Sequence, residues 1–493
     1  MKIILEDAAG AGLARVCRDV AAIFFSAAEI GYDCSQRADL RLLLEGRRLR
    51  GLFNGKAIIY DAGGQVATHI VAEKPLAVYE EKNQLKRLVK LAVFRVLAEY
   101  TGKRPPWGIL TGIRPTKVVH RLLDDGWPAE RIHRHLVEDY GLAREKADLL
   151  IEVTGRHRRY LPDAKTARRL ISVYVGIPFC PTRCAYCSFP AYPMERWGHL
   201  TEDFLAALLR EIKVLGDRSG ELGFKVQTVY IGGGTPTSLN ADQMERLLAA
   251  VRRSFISEST VEFTLEAGRP DTITAEKMQL AKHFGVNRIS VNPQSMNPDT
   301  LRAIGRSHDP EEIVTAVQAA RAAGLDFINM DIIAGLPGET PAEFGHTLNV
   351  VAGLKPENLT VHTLAVKRAS SIKENFGQYR LPEDKEVREM LDQAQQTAVA
   401  MDMHPYYLYR QKQMVGLLEN VGYAREGYDC IYNVQIIEER QTVLALGAGA
   451  GSKFVRPDGW ILESLYNPKD PQNYIGRIDG LIAGKVDKLY TIR

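Results

Sequence analysis

Beyond Ile171 the chain alternates short β-type runs with amphipathic helical stretches, and this alternation restricts the fold more than any other feature of the sequence. Strand patterns fall at Ser172–Val175, Thr228–Ile231, Glu262–Leu265, Arg288–Val291, Ile328–Ile333 and Leu359–Leu364. Helical patterns lie between them at Thr201–Leu215, Asp242–Ser254, Ala275–Phe284, Pro310–Ala323 and Pro341–Leu354. Gly216, Gly285 and Gly324 stand where helix terminators belong, and Asn240 with Gln243 predicts a capping box. Strands separated by helices pair in parallel through right-handed crossovers. The expected fold class is therefore α/β, a partial (β/α)6 barrel over residues 170–370, with ligands at the carboxyl ends of its strands.

A chain of 493 residues exceeds one ordinary core. Residues 1–100 read as an N-terminal α+β domain. Its strands are expected at Ile3–Leu5, Leu40–Leu44, Gly51–Phe53 and Ala57–Tyr60, with turns at Gly55 and Gly63–Gly64. A basic amphipathic helix spans Asn83–Tyr100. Residues 101–169 read as a helical linker region that ends in a cluster of arginines, Arg156 to Arg169. That cluster suits either an anionic substrate or a linker surface. Residues 371–493 read as a C-terminal appended domain closing over the barrel mouth, with strands at Tyr406–Tyr409 and Val443–Leu446.

The loop after the first barrel strand carries Cys180, Cys184 and Cys187 within eight residues. Pro178 and Pro181 keep this stretch out of regular helix, so an irregular loop can wrap its sulfurs around one centre. Thiolates are soft ligands, which leaves zinc or an iron–sulfur cluster as occupant. A structural zinc site wants four closed ligands, whereas three clustered thiols fit a cubane with one iron open. Buried, unligated thiols are the plainer alternative. Of six cysteines, the other three, Cys17, Cys34 and Cys430, are scattered, and Cys430 is the one downstream candidate for a fourth zinc ligand.

Composition narrows the class. With 45% hydrophobic and 25% charged residues the chain is an ordinary soluble globular type. A net charge of +4 is too small to argue for nucleic acid. The early acidic residues lead us to expect no signal peptide, and the short apolar runs no membrane span. The expectation is a cytoplasmic protein with no membrane and no nucleic-acid partner.

Polar residues recur at the strand ends that share the cysteine rim. Gly232-Gly-Gly-Thr-Pro-Thr237 follows the second strand, and successive glycines let backbone amides approach a ligand closely. Glu266 ends the third strand, Gln294 and Arg306 follow the fourth, and Asp331 lies on the fifth. Together they outline a polar ring around one cavity.

Tyr174 six residues before Cys180, the Ile-Pro-Phe-Cys lead-in, the Cys-x3-Cys-x2-Cys loop, Gly232-Gly-Gly-Thr-Pro-Thr237 and the strand from Asp331 to Pro337 resemble the radical S-adenosylmethionine enzymes. Within them the resemblance is to the oxygen-independent coproporphyrinogen III oxidase family. The long N-terminal extension and Gly447-Ala-Gly-Ala-Gly451 are similar to its HemZ-like branch. The resemblance implies that Cys180, Cys184 and Cys187 hold a 4Fe-4S cluster. It implies that Tyr174, Gly233 and Glu266 line S-adenosylmethionine. Gly234, Thr235, Gln294, Arg306, Asp331 and Ala365 match further contacts to one or two molecules of that cofactor.

The implied activity is oxidative decarboxylation of an anionic tetrapyrrole, fed by a low-potential electron donor such as flavodoxin. Arg306, Lys367 and Arg368 are candidates for the substrate carboxylates by charge and location. The oxidase proper has a fourth cysteine where this chain has Phe189, as the related haem-chaperone branch does. That branch in turn has a histidine where this chain has Gly451. Radical enzyme and haem-binding chaperone are the two readings carried forward, with a zinc-stabilised nucleic-acid module third.

Overall fold

The computed structural model describes every residue except 9–11, 26–28, 34, 36, 367–369, 371, 373–376, 378, 412 and 413, and leaves out the side chains of 29 and 415. Cys34, Lys367 and Arg368 thus lie outside the described residues. The chain forms two compact units, Met1–Gly155 and Arg156–Arg493.

The first unit is built on strands β1 (Lys2–Asp7), β2 (Glu29–Gly31), β3 (Leu40–Leu49), β4 (Leu52–Asp61) and β5 (Gly64–Glu73), in the order β2-β1-β3-β4-β5. β1 pairs in parallel with β2 and β3, and the others are antiparallel. Gly55, expected as a turn, instead sits inside the continuous strand β4. The helix Glu81–Thr101 crosses there so closely that a Cβ on Gly55 would lie 2.4 Å from the Leu88 carbonyl carbon. The basic character of that helix is partly structural: Arg87 is buried, pairs with Glu73 and donates to the Asp139 carbonyl at 2.9 Å.

The second unit contains β6 (Leu170–Ile177), β7 (Phe179–Cys180), β8 (Tyr192–Pro193), β9 (Lys225–Gly233), β10 (Glu262–Glu266), β11 (Arg288–Ser290), β12 (Phe327–Ala334), β13 (Asn358–Thr363), β14 (His404–Tyr409), β15 (Asn420–Ala424), β16 (Thr442–Gly447), β17 (Gly451–Arg456) and β18 (Ile461–Tyr466). All but β7 and β8 join one sheet, ordered β14-β15-β13-β12-β11-β10-β9-β6-β16-β17-β18. The six strands expected of the barrel are β6, β9, β10, β11, β12 and β13, and they run parallel. Helices between them carry the capping boxes Asn240/Gln243, Asp309/Glu312 and Thr340/Glu343. Gly216 does not end its helix, which runs Thr201–Glu221. Its bare Cα admits a neighbouring helix, since a Cβ would lie 2.6 Å from Ser254 Cβ.

The residues after 371 extend this sheet at both ends. β16 adds in parallel beside β6, and β15 adds antiparallel beside β13. A buried ionic knot fixes the first of these additions. Glu211 accepts from Lys485 Nζ at 2.6 Å, from Tyr474 Oη at 2.6 Å and from the Gly447 amide at 2.9 Å, and Lys485 also donates to the Ala445 carbonyl at 2.7 Å. The arginine cluster before β6 is internal wiring as well. Arg156 pairs with Asp429 and Glu426, and Arg168 with Asp458. No helix of the described residues is long and apolar enough to cross a membrane.

Removing one partner of a fully buried ion pair strands the other, at a cost of about 3–5 kcal/mol. Lys485→Met is expected to lose stability in that range by urea denaturation, and Glu211→Gln combined with Lys485→Met to recover part of it. An unchanged midpoint for the single variant would show that the knot does not hold the sheet together.

Candidate active site

The carboxyl ends of the parallel strands surround a cavity of about 510 Å³. Its wall includes Tyr174, Cys180, Cys184, Cys187, Gly233, Gly234, Thr235, Glu266, Gln294, Arg306, Asp331 and Ala365, so the structure brings every cluster and cofactor candidate to one space. Six strands, the segments that follow them and the cysteine loop deliver these residues, which is why they are far apart in sequence.

The cysteine loop is anchored at both ends. β7 and β8 pair across it, with Phe179 beside Tyr192 and Cys180 beside Pro193. The Ala185 amide donates to the Ile304 carbonyl at 2.9 Å. The glycine loop is pressed against β6 and the start of the cysteine loop. The Gly234 amide donates to the Ile177 carbonyl and the Thr235 amide to the Phe179 carbonyl, each at 2.7 Å. Gly233 has φ +114°, a region open to glycine. A Cβ on Gly234 would lie 2.6 Å from the Phe179 oxygen and 2.9 Å from Cys180 Sγ, so no side chain fits at that position.

The three thiols are uncrosslinked, and Cys180 and Cys184 are buried. Donors reach their sulfurs: Thr235 Oγ1 lies 3.5 Å from Cys180 Sγ and Arg269 Nη1 3.9 Å from Cys184 Sγ. Burial pushes the Cys180 thiol up to about 12, with Thr235 opposing. A bound cationic centre reverses that penalty, because metal ligation requires the thiolate. This donor set, soft, convergent and supplied with outer hydrogen bonds, fits a thiolate-held cluster. Cys430 is elsewhere: its thiol lies 3.4 Å from Glu262 Oε1, and it does not line the cavity.

Arg306 and Arg269 brace the loop from the barrel side. Arg306 donates to the Asn292 carbonyl at 2.5 Å and to Tyr186 Oη at 3.2 Å. Arg269 forks onto Asp271 at 2.9 and 3.0 Å and reaches Thr182 Oγ1 at 2.9 Å. Two polar atoms on this wall, Gln294 Oε1 and Arg306 Nε, are buried without a hydrogen-bond partner. Gln294 is also held at φ +66°, an uncommon conformation for a residue with a Cβ. Orphaned polar atoms facing a cavity fit a polar ligand such as an amino-acid-bearing cofactor.

Two carboxyl groups in the cavity are driven apart. Burial, then the Asp331 charge, raises Glu266 to about 8, with only the Gly233 amide at 3.4 Å opposing. Burial would raise Asp331 too, but His362 at 3.5 Å, Asn329 at 2.7 Å and Thr360 overcome it and hold Asp331 below its usual range. At neutral pH one is an acid and the other an anion. Tyr174, Tyr230 and Tyr432 stack beside them, with centroids 4.7 to 6.2 Å apart. Arg269, His362 and Tyr409 escaped the sequence reading. Arg269 stands three residues past Glu266 on the same rim, a position the strand-end rule could have flagged; the other two carried no signal.

The sequence profile of the Radical SAM superfamily matches residues 174–351. The oxygen-independent coproporphyrinogen-III oxidase-like protein HemZ of Bacillus subtilis is 39% identical over 100% of this chain and 98% of its own length. The heme chaperone HemW of the same organism is 31% identical over 57% of this chain and 70% of its own. Among solved structures, coproporphyrinogen III oxidase (HemN) from Escherichia coli superposes with a TM-score of 0.50 at 26% identity, covering 64% of this chain and 71% of that one.

Because no Cβ fits at position 234, Gly234→Ala is expected to displace Cys180, and iron analysis after anaerobic reconstitution should fall well below the about four irons expected of a cubane. Full uptake by this variant would contradict the close packing. Glu266 gives a pH test. Its folded-state value is raised, so the unfolded chain ionises first as pH rises from about 4.5 to about 8, and stability falls across that window. Glu266→Gln should therefore unfold at higher temperature than wild type at pH 8 and differ little at pH 4.5.

Proposed function

The chain belongs to the radical SAM superfamily, in the branch of oxygen-independent coproporphyrinogen III oxidase-like proteins, and on that premise we propose that it catalyses oxygen-independent oxidative decarboxylation of coproporphyrinogen III propionates in porphyrin and haem biosynthesis. The observation that carries the reading is the convergence of the cysteine loop, the glycine loop and the orphaned Gln294 and Arg306 atoms on one cavity. The family's cofactors are a 4Fe-4S cluster and S-adenosylmethionine. In this proposal Cys180, Cys184 and Cys187 hold the cluster. When bound, the two groups together supply a 5′-deoxyadenosyl radical able to take hydrogen from an unactivated carbon.

The protein's own contribution is placement and exclusion of water. The close-packed Gly232–Gly234 segment brings backbone, rather than side chain, to the cofactor surface. Glu266 offers a protonated carboxyl and Asp331 an ionised one, so the two present a donor and an acceptor at fixed points. Gln294 Oε1 accepts and Arg306 Nε donates to whatever fills the adjoining space. Arg306 spends its terminal nitrogens on Asn292 and Tyr186, so its main duty here is bracing the loop. One or two S-adenosylmethionine molecules and an anionic tetrapyrrole are the proposed occupants, with a low-potential electron donor such as flavodoxin as partner.

A haem-binding chaperone without turnover is the second reading. It is favoured by the similarity to the heme chaperone HemW and by Phe189, a largely exposed aromatic at the cavity rim where the oxidase resemblance expects cysteine. Against it, this chain has Gly451 where the chaperone resemblance expects a histidine. Reduced, reconstituted protein given coproporphyrinogen III without oxygen is expected to yield vinyl-bearing porphyrinogen, carbon dioxide and 5′-deoxyadenosine, and Cys184→Ala none of them. Stoichiometric haem binding with no carbon dioxide release would replace the enzyme reading with the chaperone.

A further inference from the structure

The part of the cavity wall built by β12, β13 and the end of β14 carries a continuous hydrogen-bonded line. Asp331 Oδ2 lies 3.5 Å from His362 Nε2, and His362 Nδ1 lies 3.1 Å from Tyr409 Oη. Gln411 Nε2 donates to the same Tyr409 oxygen at 3.4 Å. The far end is fixed, because Asn329 Nδ2 donates to Asp331 Oδ1 at 2.7 Å and Thr360 Oγ1 donates to Asn329 at 2.9 Å. All six residues line the cavity.

The line has two states. Ionised Asp331 requires a proton on His362 Nε2. In neutral imidazole Nδ1 is then an acceptor, and the Tyr409 hydroxyl spends its hydrogen on it. Gln411 already donates to Tyr409, so the Tyr409 hydroxyl offers a ligand no donor and the wall retains the Asp331 charge. A second proton on His362 makes Nδ1 a donor. Tyr409 Oη then accepts from both His362 and Gln411, its own hydrogen is released towards the cavity, and the Asp331 charge is balanced.

We propose that Tyr409 and His362 form a carboxylate-binding subsite that is completed by uptake of one proton on His362. This rests on the decarboxylase reading for its first candidate ligand, a substrate propionate. The amino-acid carboxylate of the cofactor is the other source of the same chemistry. The titratable groups in contact with His362 are Asp331 on β12 and Tyr409 on β14. The cavity they share is also lined by Glu266 on β10, Tyr230 on β9, Tyr407 on β14 and Tyr432 on the helix Ile431–Glu438, and by Tyr174, Tyr186, the three thiols and the charged Arg269 and Arg306 on the cysteine-loop side. Tyr230, Tyr407, Tyr409 and Tyr432 are held uncharged by burial, and Glu266 stays protonated below about pH 8. His362 is the member of this line whose proton count the proposal varies.

The test measures binding rather than turnover, on reconstituted full-length protein. Coproporphyrin III, an air-stable tetracarboxylate, is titrated by fluorescence, and S-adenosylhomocysteine by calorimetry, each at about pH 6 and pH 7.5. One arm should bind tighter at the lower pH, by up to about thirtyfold for one proton taken up on binding over this interval. His362→Gln and Tyr409→Phe should each lose most of that gain while melting within a few degrees of wild type. Comparison with the variants cancels titration of the ligand itself. Octaethylporphyrin, which has no carboxylate, should show no such difference.

An effect in the coproporphyrin arm assigns the subsite to substrate, and one in the adenosylhomocysteine arm assigns it to cofactor; either supports it. Equal pH dependence of wild type and both variants in both arms, or an octaethylporphyrin response lost in His362→Gln, overturns it. Absence of coproporphyrin binding at every pH counts against the decarboxylase reading, and the adenosylhomocysteine arm still decides the subsite.

Discussion

The approach of three strand ends to one another is the constraint on which this site depends. In register across β16, β6 and β9 stand Gly447, Gly176 and Gly232. A Cβ on Gly447 would lie 2.1 Å from the Gly176 oxygen, and one on Gly232 would lie 2.4 Å from Glu266 Oε2. A row without side chains lets the backbones close up at the rim. The chain leaving β6 is then held directly by the chain leaving β9, through the amides of Gly234 and Thr235. The cysteine loop is thus fixed by backbone hydrogen bonds, which no rotamer change can loosen.

Charge is treated in the same economical way. The buried ions around the cavity have assigned partners: Arg269 with Asp271, Arg306 with the Asn292 carbonyl, Asp331 with His362 and Asn329. Glu266 has no such partner, and burial keeps it protonated instead. A pocket that has to accept a highly charged guest gains from this, since most of its charged groups are already held in place before the guest arrives.

Much of this was legible in the chain itself. The strand–helix alternation located the ends of the barrel strands within three residues, because these strands are largely buried and read as apolar runs. The strand-end rule then gathered residues from Tyr174 to Ala365 into one space. Legibility failed where glycine had two meanings. Gly55 and Gly216 read as breakers, but both are points of close contact inside regular elements, and only the neighbour across the gap reveals that. His362 and Tyr409 were silent because a histidine inside a strand has no local signature. Their pairing is made by β13 and β14 coming near one another through β15. The attachment of β16 beside β6 was equally invisible, as nothing local in Thr442–Gly447 names a partner 270 residues earlier.

That attachment has a consequence for how the chain matures. β6 is among the first barrel strands to be synthesised, yet its outer neighbour β16 and the lysine that secures it, Lys485, come near the end. While the chain is still being made, β6 presents an unpaired edge, a template for wrong pairing. The contacts that finish the sheet are also the most distant in sequence, which places this unit among slow folders. The cysteine loop follows directly from β6, so its frame is completed only when the last helix has docked. A chain stopped short of Lys485 would therefore leave the ribosome with the loop's thiols on an open-edged sheet.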